Sequence, residues 1–138
     1  MSKFETVKHE VDVCVVGGGL AGICAAVSAA RHGAKTLIMQ DRPMFGGNCS
    51  SEIRMWICGS ENYADDTKET GIVEEIDLEN CYRNPYKNYS IWDSVLYQTV
   101  RFQKNMTMLL NCSCLDAEMD GSKIKSVKGW QLTTQQFH

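Results

Sequence analysis

Six residues near the start of the chain, Gly17-Gly18-Gly19-Leu20-Ala21-Gly22, satisfy the spacing G-x-G-x-x-G. Each position suits phosphate binding by backbone alone. Gly17 permits a tight turn out of a strand, and Gly19 keeps side-chain atoms away from an approaching pyrophosphate. Gly22 lets the following helix lie close on a sheet. Free N–H groups around Leu20 and Ala21, with the helix dipole, would hold the phosphate charge. Glycine turns are common, so the motif gains weight only from its flanks.

Those flanks fit. Val11-Asp12-Val13-Cys14-Val15-Val16 is a β-branched run suited to a buried strand. Leu20 to His32 is alanine-rich and predicts a helix that Gly33 stops. Lys35 to Gln40, with Leu37-Ile38-Met39 continuous and apolar, predicts a second strand. Strand, helix and strand at this spacing predict a right-handed βαβ unit with parallel strands.

The end of the second strand is where an acid would hold ribose hydroxyls. Gln40 stands there, with Asp41 next and Arg42 after it. A hydrogen bond to a charged group is worth about 1.5–3 kcal/mol and a neutral one about 0.5–1.5. A neutral Gln40 therefore weakens binding roughly tenfold, and Asp41 can take part of the role. Arg42 beside a neutral residue also admits NADP, because arginine meets a 2′-phosphate, although Asp41 would repel that group.

Beyond the second strand, Arg42-Pro43-Met44-Phe45-Gly46-Gly47-Asn48 places a glycine pair where backbone can approach a bound dinucleotide from the side opposite the turn. Val-Val-Gly-Gly-Gly-Leu-Ala-Gly, a strand, and Arg-Pro-x-x-Gly-Gly-Asn together resemble the N-terminus of FAD-dependent oxidoreductases of the two-dinucleotide-binding type. A bacterial group with Gly-Gly-Asn-Ser-Ser at this place is especially similar; here the residues are Gly46-Gly47-Asn48-Cys49-Ser50-Ser51. Glu52-Ile53-Arg54, Thr70-Gly71-Ile72 and the stretch from Asn105 to Leu110 share the likeness, which covers most of the chain. The motifs specify FAD and no substrate.

The resemblance implies that Gly17, Gly18, Gly19, Leu20, Ala21 and Gly22 face the pyrophosphate of FAD. Gln40 and Asp41 would lie at the adenosine ribose, with Arg42, Gly46, Gly47 and Asn48 flanking the diphosphate. Backbone near Cys114 would meet the adenine. The family seats its isoalloxazine ring with later segments, which residues 1–138 do not contain. The expectation is an incomplete domain, the N-terminal piece of an oxidoreductase. A stand-alone nucleotide-binding module and an NADP-binding domain are the alternatives.

The rest of the chain must position that site. Thr70 to Cys81 predicts a helix with Ile72, Val73 and Ile76 on one side and Glu74 and Glu75 near its start. Ser90, with Asp93 three residues on, predicts a capping box and a second helix. Its apolar face is Trp92, Leu96 and Val100, or Ile91, Val95 and Phe102, and Asn105 can close it. Tyr82 to Tyr89 is a loop. Met106 to Leu110 predicts a third parallel strand. Asp120-Gly121 then turns a hairpin between Cys112–Met119 and Lys123–Trp130, and Gln131 to Phe137 would extend it to a meander. The fold class is α/β: a Rossmann-like βαβ with a parallel sheet, a helical insertion and an antiparallel β-meander, in one domain.

Composition bounds the rest. A chain of 138 residues with 43% hydrophobic and 22% charged residues is one globular domain's worth. A net charge of −3 gives no reason to expect nucleic acid or an anionic membrane as partner. Val13 to Ala30 lacks charge, but the glycine turn inside it argues against a span. Seven cysteines, an odd number with no secretion signal, predict reduced thiols and a cytoplasmic protein. Cys49 and Cys58 lack the four-residue separation of a flavin-coupled disulfide, so Cys49 reads as a small residue in place of serine. Cys112 and Cys114 point one way from one strand without further ligands nearby, and no metal site is expected. Arg54 and Trp56 follow the glycine pair and could approach a flavin or substrate; core or helix-surface roles suit them equally.

Overall fold

The computed structural model describes residues 4–57, 59 and 67–138. Cys58 and the first three residues lie outside that set. The first strand, β1, is Val13–Val16, followed by helix α1 at Leu20–Arg31 and strand β2 at Thr36–Met39. Helices α2 (Ile72–Arg83) and α3 (Tyr89–Arg101) separate β2 from β3 (Met106–Leu109). Strands β4 (Cys112–Asp120), β5 (Lys123–Gln131) and β6 (Gln136–Phe137) complete the chain.

β2 is the centre of a parallel sheet in the order β1-β2-β3. Its four residues are all buried because both faces are covered. Ile38 joins a cluster with Ile23, Ala26 and Val27 of α1 and with Trp92, Val95, Leu96 and Val100 of α3. Leu37 and Met39 turn the other way, onto Leu109 and Cys112. The edge strand β1 alternates instead: Val15 packs on the helical cluster, while Cys14 and Val16 are exposed.

Helix α1 ends at Arg31 with His32 as its cap, and Gly33 follows at φ 94°, a conformation that glycine adopts without steric cost. The charge-free stretch Val13 to Ala30 is thereby split into a strand and a helix of 12 residues. Among the described residues, no helix is long and apolar enough to cross a membrane.

Helix α2 starts two residues later than its sequence suggests, at Ile72, because Gly71 takes φ 71° and breaks the helix there. Ile76 is its buried residue, and Glu74 and Glu75 sit in the first turn where the dipole favours them. Helix α3 departs from the capping box. Asn88 is the cap, accepting from Ser90 N at 2.8 Å, so the helix opens one residue before Ser90. Asp93 is drawn away to accept from Ser51 N at 2.9 Å. The buried face is Trp92, Val95, Leu96 and Val100, whereas Phe102 is exposed. Burying each such side chain contributes about 1.5–3 kcal/mol, which outweighs the choice of cap.

The hairpin β4–β5 forms as expected, with Gly121 at φ 61° in its turn. The third strand is shorter than expected. Residues 132–135 form a turn, with Gln135 at φ 55°, and only Gln136–Phe137 pairs with β5. The N-terminal segment joins this sheet: Phe137 N donates to Glu5 O and Val7 N to Phe137 O. Phe4 packs against Trp130 and Phe137.

Candidate functional site

The three glycines that the motif requires serve different geometries. Gly17 takes φ 107°, which turns the chain out of β1, and its N–H donates to Met39 O. An added Cβ at Gly22 would lie 1.9 Å from Gly17 O, so only glycine lets α1 start this close to the turn. Gly19 is different. Its φ of −67° and ψ of 175° suit any residue, and an added Cβ would meet no atom within 4 Å. Nothing in the protein itself requires glycine at 19.

Gly19 caps α1 without any side-chain hydrogen bond, and no acid occupies the first turn. The N–H groups of Leu20, Ala21 and Gly22 therefore have no partner within the helix. They and the positive end of the helix dipole lie beside Gly19, whose added Cβ would meet no atom within 4 Å. Ala21 is exposed, and Gly19, Leu20 and Gly22 are half-buried.

Gly18 is buried and fully committed. Its N–H donates to Gln40 Oε1 at 2.7 Å, and its carbonyl accepts from Gly46 N at 2.8 Å. A Cβ at Gly18 would strike the Phe45 ring at 2.5 Å. Phe45, wholly buried, thus fills the back of the turn. Gln40 is buried as well, and its Nε2 reaches Met44 O at 3.4 Å. Asp41 is exposed at the strand end. Arg42 pairs with Glu52 at 3.4 Å.

The glycine pair after β2 packs on the turn. Gly19 and Gly46 form a parallel bridge, and a Cβ at Gly47 would lie 3.2 Å from Gly19 Cα. Gly46 adopts φ 113° and Gly47 φ 58°, both left-handed, and Asn48 is exposed beside them. Helix α3 fixes this loop from behind. Trp92 Nε1 donates to Cys49 O at 2.7 Å, and Leu96 Cδ1 would be 2.7 Å from a Cβ on Gly46. Cys49 is buried, with Sγ donating to Gly46 O at 3.0 Å; burial pushes its thiol pKa up, away from a reactive thiolate.

The start of β4 reaches the same place. Asn111 N donates to Arg42 O at 3.0 Å and Cys112 N to Gln40 O at 2.9 Å, bringing the segment that leads to Cys114 alongside Gln40–Arg42. The structure therefore gathers the turn, the strand end, the glycine pair and the hairpin start at one end of the parallel sheet. Cys58 lies outside the described residues. Among those described, no group of three or more His, Cys, Asp or Glu side chains could hold a metal.

Sequence patterns did not reveal Phe45, Trp92 and Asp93 as supports of the site. The last two reach it across more than 40 residues of chain, a separation for which no local spacing rule exists. Phe45 did carry a signal, as a large apolar residue directly before two glycines.

Comparison with known proteins identifies the family and the fold. A model of the FAD dependent oxidoreductase family matches residues 12–137. The soluble pyridine nucleotide transhydrogenase of Marinobacter nauticus is 44% identical over 43 residues, 31% of this chain and 9% of that protein. Digoxin reductase of Eggerthella lenta is 48% identical over 42 residues, 30% of this chain and 8% of that protein. The chain thus covers less than a tenth of either relative's length. Among solved structures, Thermovibrio ammonificans THI4 matches with a TM-score of 0.58 at 16% identity, over 89% of this chain and 48% of that one. The myxobacterial chondrochloren halogenase CndH, a variant of FAD-dependent halogenases, matches with a TM-score of 0.56 at 15% identity, over 93% of this chain and 34% of that one. At such identities the structural likeness shows the fold, a Rossmann-type α/β arrangement. The family model runs from β1 through the turn and both helices to β6, and on that span the chain belongs to the FAD dependent oxidoreductase family, whose cofactor is FAD.

Proposed function

We propose that this chain binds the ADP half of FAD for a flavin-dependent oxidoreductase acting on a small molecule. The observation that carries the reading is Gly19: neither its backbone angles nor its neighbours call for glycine, so a ligand lying against it does. The diphosphate would rest on the N–H groups of Leu20, Ala21 and Gly22, over Gly17 and Gly19. Gly46, Gly47 and Asn48 would border it, with Arg42 near. Asp41 and the free lone pair of Gln40 Oε1 would meet the adenosine ribose, and backbone near Cys114 the adenine. Gly18 acts from behind, through Gln40 and Phe45.

Bound FAD supplies the redox step, and the protein's part is to place and tune it. The described residues do so by orientation: a rigid turn, buttressed by α3, offers fixed N–H groups that need no rearrangement when the anion arrives. We place these residues in one nucleotide-binding unit and assign no catalytic side chain within it. A cytoplasmic location is supported by free thiols at the six described cysteines and by relatives whose name calls them soluble.

The test is thermal unfolding of the chain with FAD, ADP and 2′-phospho-ADP-ribose. A ligand at a hundred times its Kd stabilises by about 2.7 kcal/mol. FAD and ADP should both raise the unfolding midpoint. Stabilisation by the 2′-phosphate compound alone, or by none of the three, would overturn the reading.

A further inference from the structure

We propose that Arg54 is an anion-recognition point for the substrate, and that the ligand it selects is a carboxylate on an apolar body. The proposal rests on the dinucleotide reading only in calling that ligand the substrate. Arg54 sits at a corner with φ 64°, a left-handed conformation that L side chains seldom adopt. Four bonds hold the corner. Arg54 N donates to Ser50 O at 2.8 Å and Met55 N to Asn48 O at 2.9 Å, which ties it to the glycine pair. Tyr89 Oη donates to Arg54 O at 2.9 Å, and Arg54 Nε to Ser51 O at 3.1 Å.

The guanidinium is thereby aimed. Nε is occupied, and the carbon Cζ lies over the Tyr89 ring, 5.6 Å from its centre. The two terminal nitrogens remain as a fork without a partner among the described residues. Among the described residues, Glu52 is turned to Arg42 and Asp93 to Ser51 N. An end-on fork matches the two oxygens of a carboxylate. On either side Ile53, Met55 and Trp56 are exposed, the last at 78%. Exposed apolar side chains beside Arg54 in the chain suit a ligand whose charge is carried on an apolar frame.

Sodium benzoate is the probe, with benzyl alcohol as its uncharged twin, inorganic phosphate as a bare anion and ADP as the nucleotide. Titrations of the whole chain are followed by NMR at the Arg54 Nε–H and the Trp56 indole N–H. Benzoate should shift both signals saturably, at least about tenfold more tightly than benzyl alcohol. Arg54→Asn keeps a residue that tolerates the left-handed corner and removes the fork. It should weaken benzoate at least about tenfold and leave ADP within about twofold. The proposal is overturned if wild-type protein does not bind benzoate, or if the alcohol or phosphate binds as well. It is equally overturned if Arg54→Asn keeps benzoate, or loses ADP, since the fork would then serve the nucleotide's phosphates. Failure of ADP to bind wild-type protein would instead sink the dinucleotide reading, because the benzoate series is run without nucleotide.

Discussion

The backbone N–H of Gly18 donates to Gln40 Oε1 across 2.7 Å, which makes the residue at the end of β2 a strut of the glycine turn. Because the donor is an N–H, the accepting atom must be the amide oxygen, and Nε2 is left to face Met44 O. A neutral amide serves both neighbours at once. A carboxylate would keep the first bond and set an oxygen against the Met44 carbonyl. Gln40→Met preserves length and removes the acceptor, stranding the buried Gly18 N–H. We expect a loss of about 1–3 kcal/mol in urea unfolding. Unchanged stability would show that the strut carries nothing.

With Gln40 bound to the turn, Asp41 is the acid left free to meet ribose hydroxyls. Asp41→Asn should lower ADP affinity up to about tenfold, the difference between a charged and a neutral hydrogen bond. It should also narrow the preference for ADP over 2′-deoxy-ADP. Calorimetric titration of both nucleotides checks this, and an undiminished preference in the variant would move the ribose contact back to Gln40.

The turn separates two kinds of glycine that the motif writes alike. Gly22→Ala would force a methyl group onto Gly17 O, so backbone must shift, and we expect at least about 1–3 kcal/mol of destabilisation or a failure to fold. Gly19→Ala meets no atom of the protein. A poorer helix cap and a stiffer unfolded chain offset one another, so stability should stay within about 1 kcal/mol. Its methyl group would stand where we propose the diphosphate to lie, and FAD and ADP should bind at least about a hundredfold more weakly, roughly 2.7 kcal/mol. Equal nucleotide binding by wild type and Gly19→Ala would remove the main support for the proposed site.

The βαβ unit was legible because β-branched runs and an alanine-rich helix each point to one local structure, and because glycine spacing ties them together. The same held for the hairpin at Asp120-Gly121. What failed was decided by competition between near neighbours in space. Ser90 and Asp93 make a valid capping box, but Asn88 caps and Asp93 finds the Ser51 N–H instead. The apolar face of α3 was ambiguous until packing on α1 and Phe45 selected Trp92, Val95, Leu96 and Val100. Gln40 likewise has a partner that its local sequence does not signal: a backbone donor 22 residues earlier in the chain meets its oxygen. In each case the local signal allowed several partners, and tertiary contact chose.

Helix α3 should therefore matter to the site it supports from behind. Trp92 Nε1 holds Cys49 O from within the core. Trp92→Phe keeps a ring and strands that carbonyl, which should cost about 1–3 kcal/mol. The glycine pair, bridged to Gly19, should loosen with it. Hydrogen exchange at Gly46 and Gly47 should rise relative to exchange in β2. Faster exchange spread evenly over the whole domain would mean only global destabilisation, with no specific link from α3 to the loop.

The antiparallel sheet carries a pH dependence of its own, through a histidine pair whose second member is bonded to Gly129. His9 Nε2 and His138 Nδ1 lie 2.9 Å apart with their rings stacked, and His138 Nε2 meets Gln131 Oε1 at 3.2 Å. Burial first, and the neighbouring His9 second, hold the His138 pKa below the ordinary histidine value. The folded state thus binds a proton less readily than the unfolded chain. Stability is fully present above the unfolded value of about 6.5 and is lost as pH falls through the folded one. Acid should loosen the N-terminal segment first, since it reaches the hairpin through Phe4, Glu5 and Val7 beside this pair. Trp130, packed on Phe4, reports the event by fluorescence. Between pH 8 and 5 the wild-type signal should shift before global unfolding, and His138→Gln, which keeps polar contacts but does not titrate, should flatten the change. The same acid transition in both proteins would assign it to the carboxylates rather than to the histidine pair.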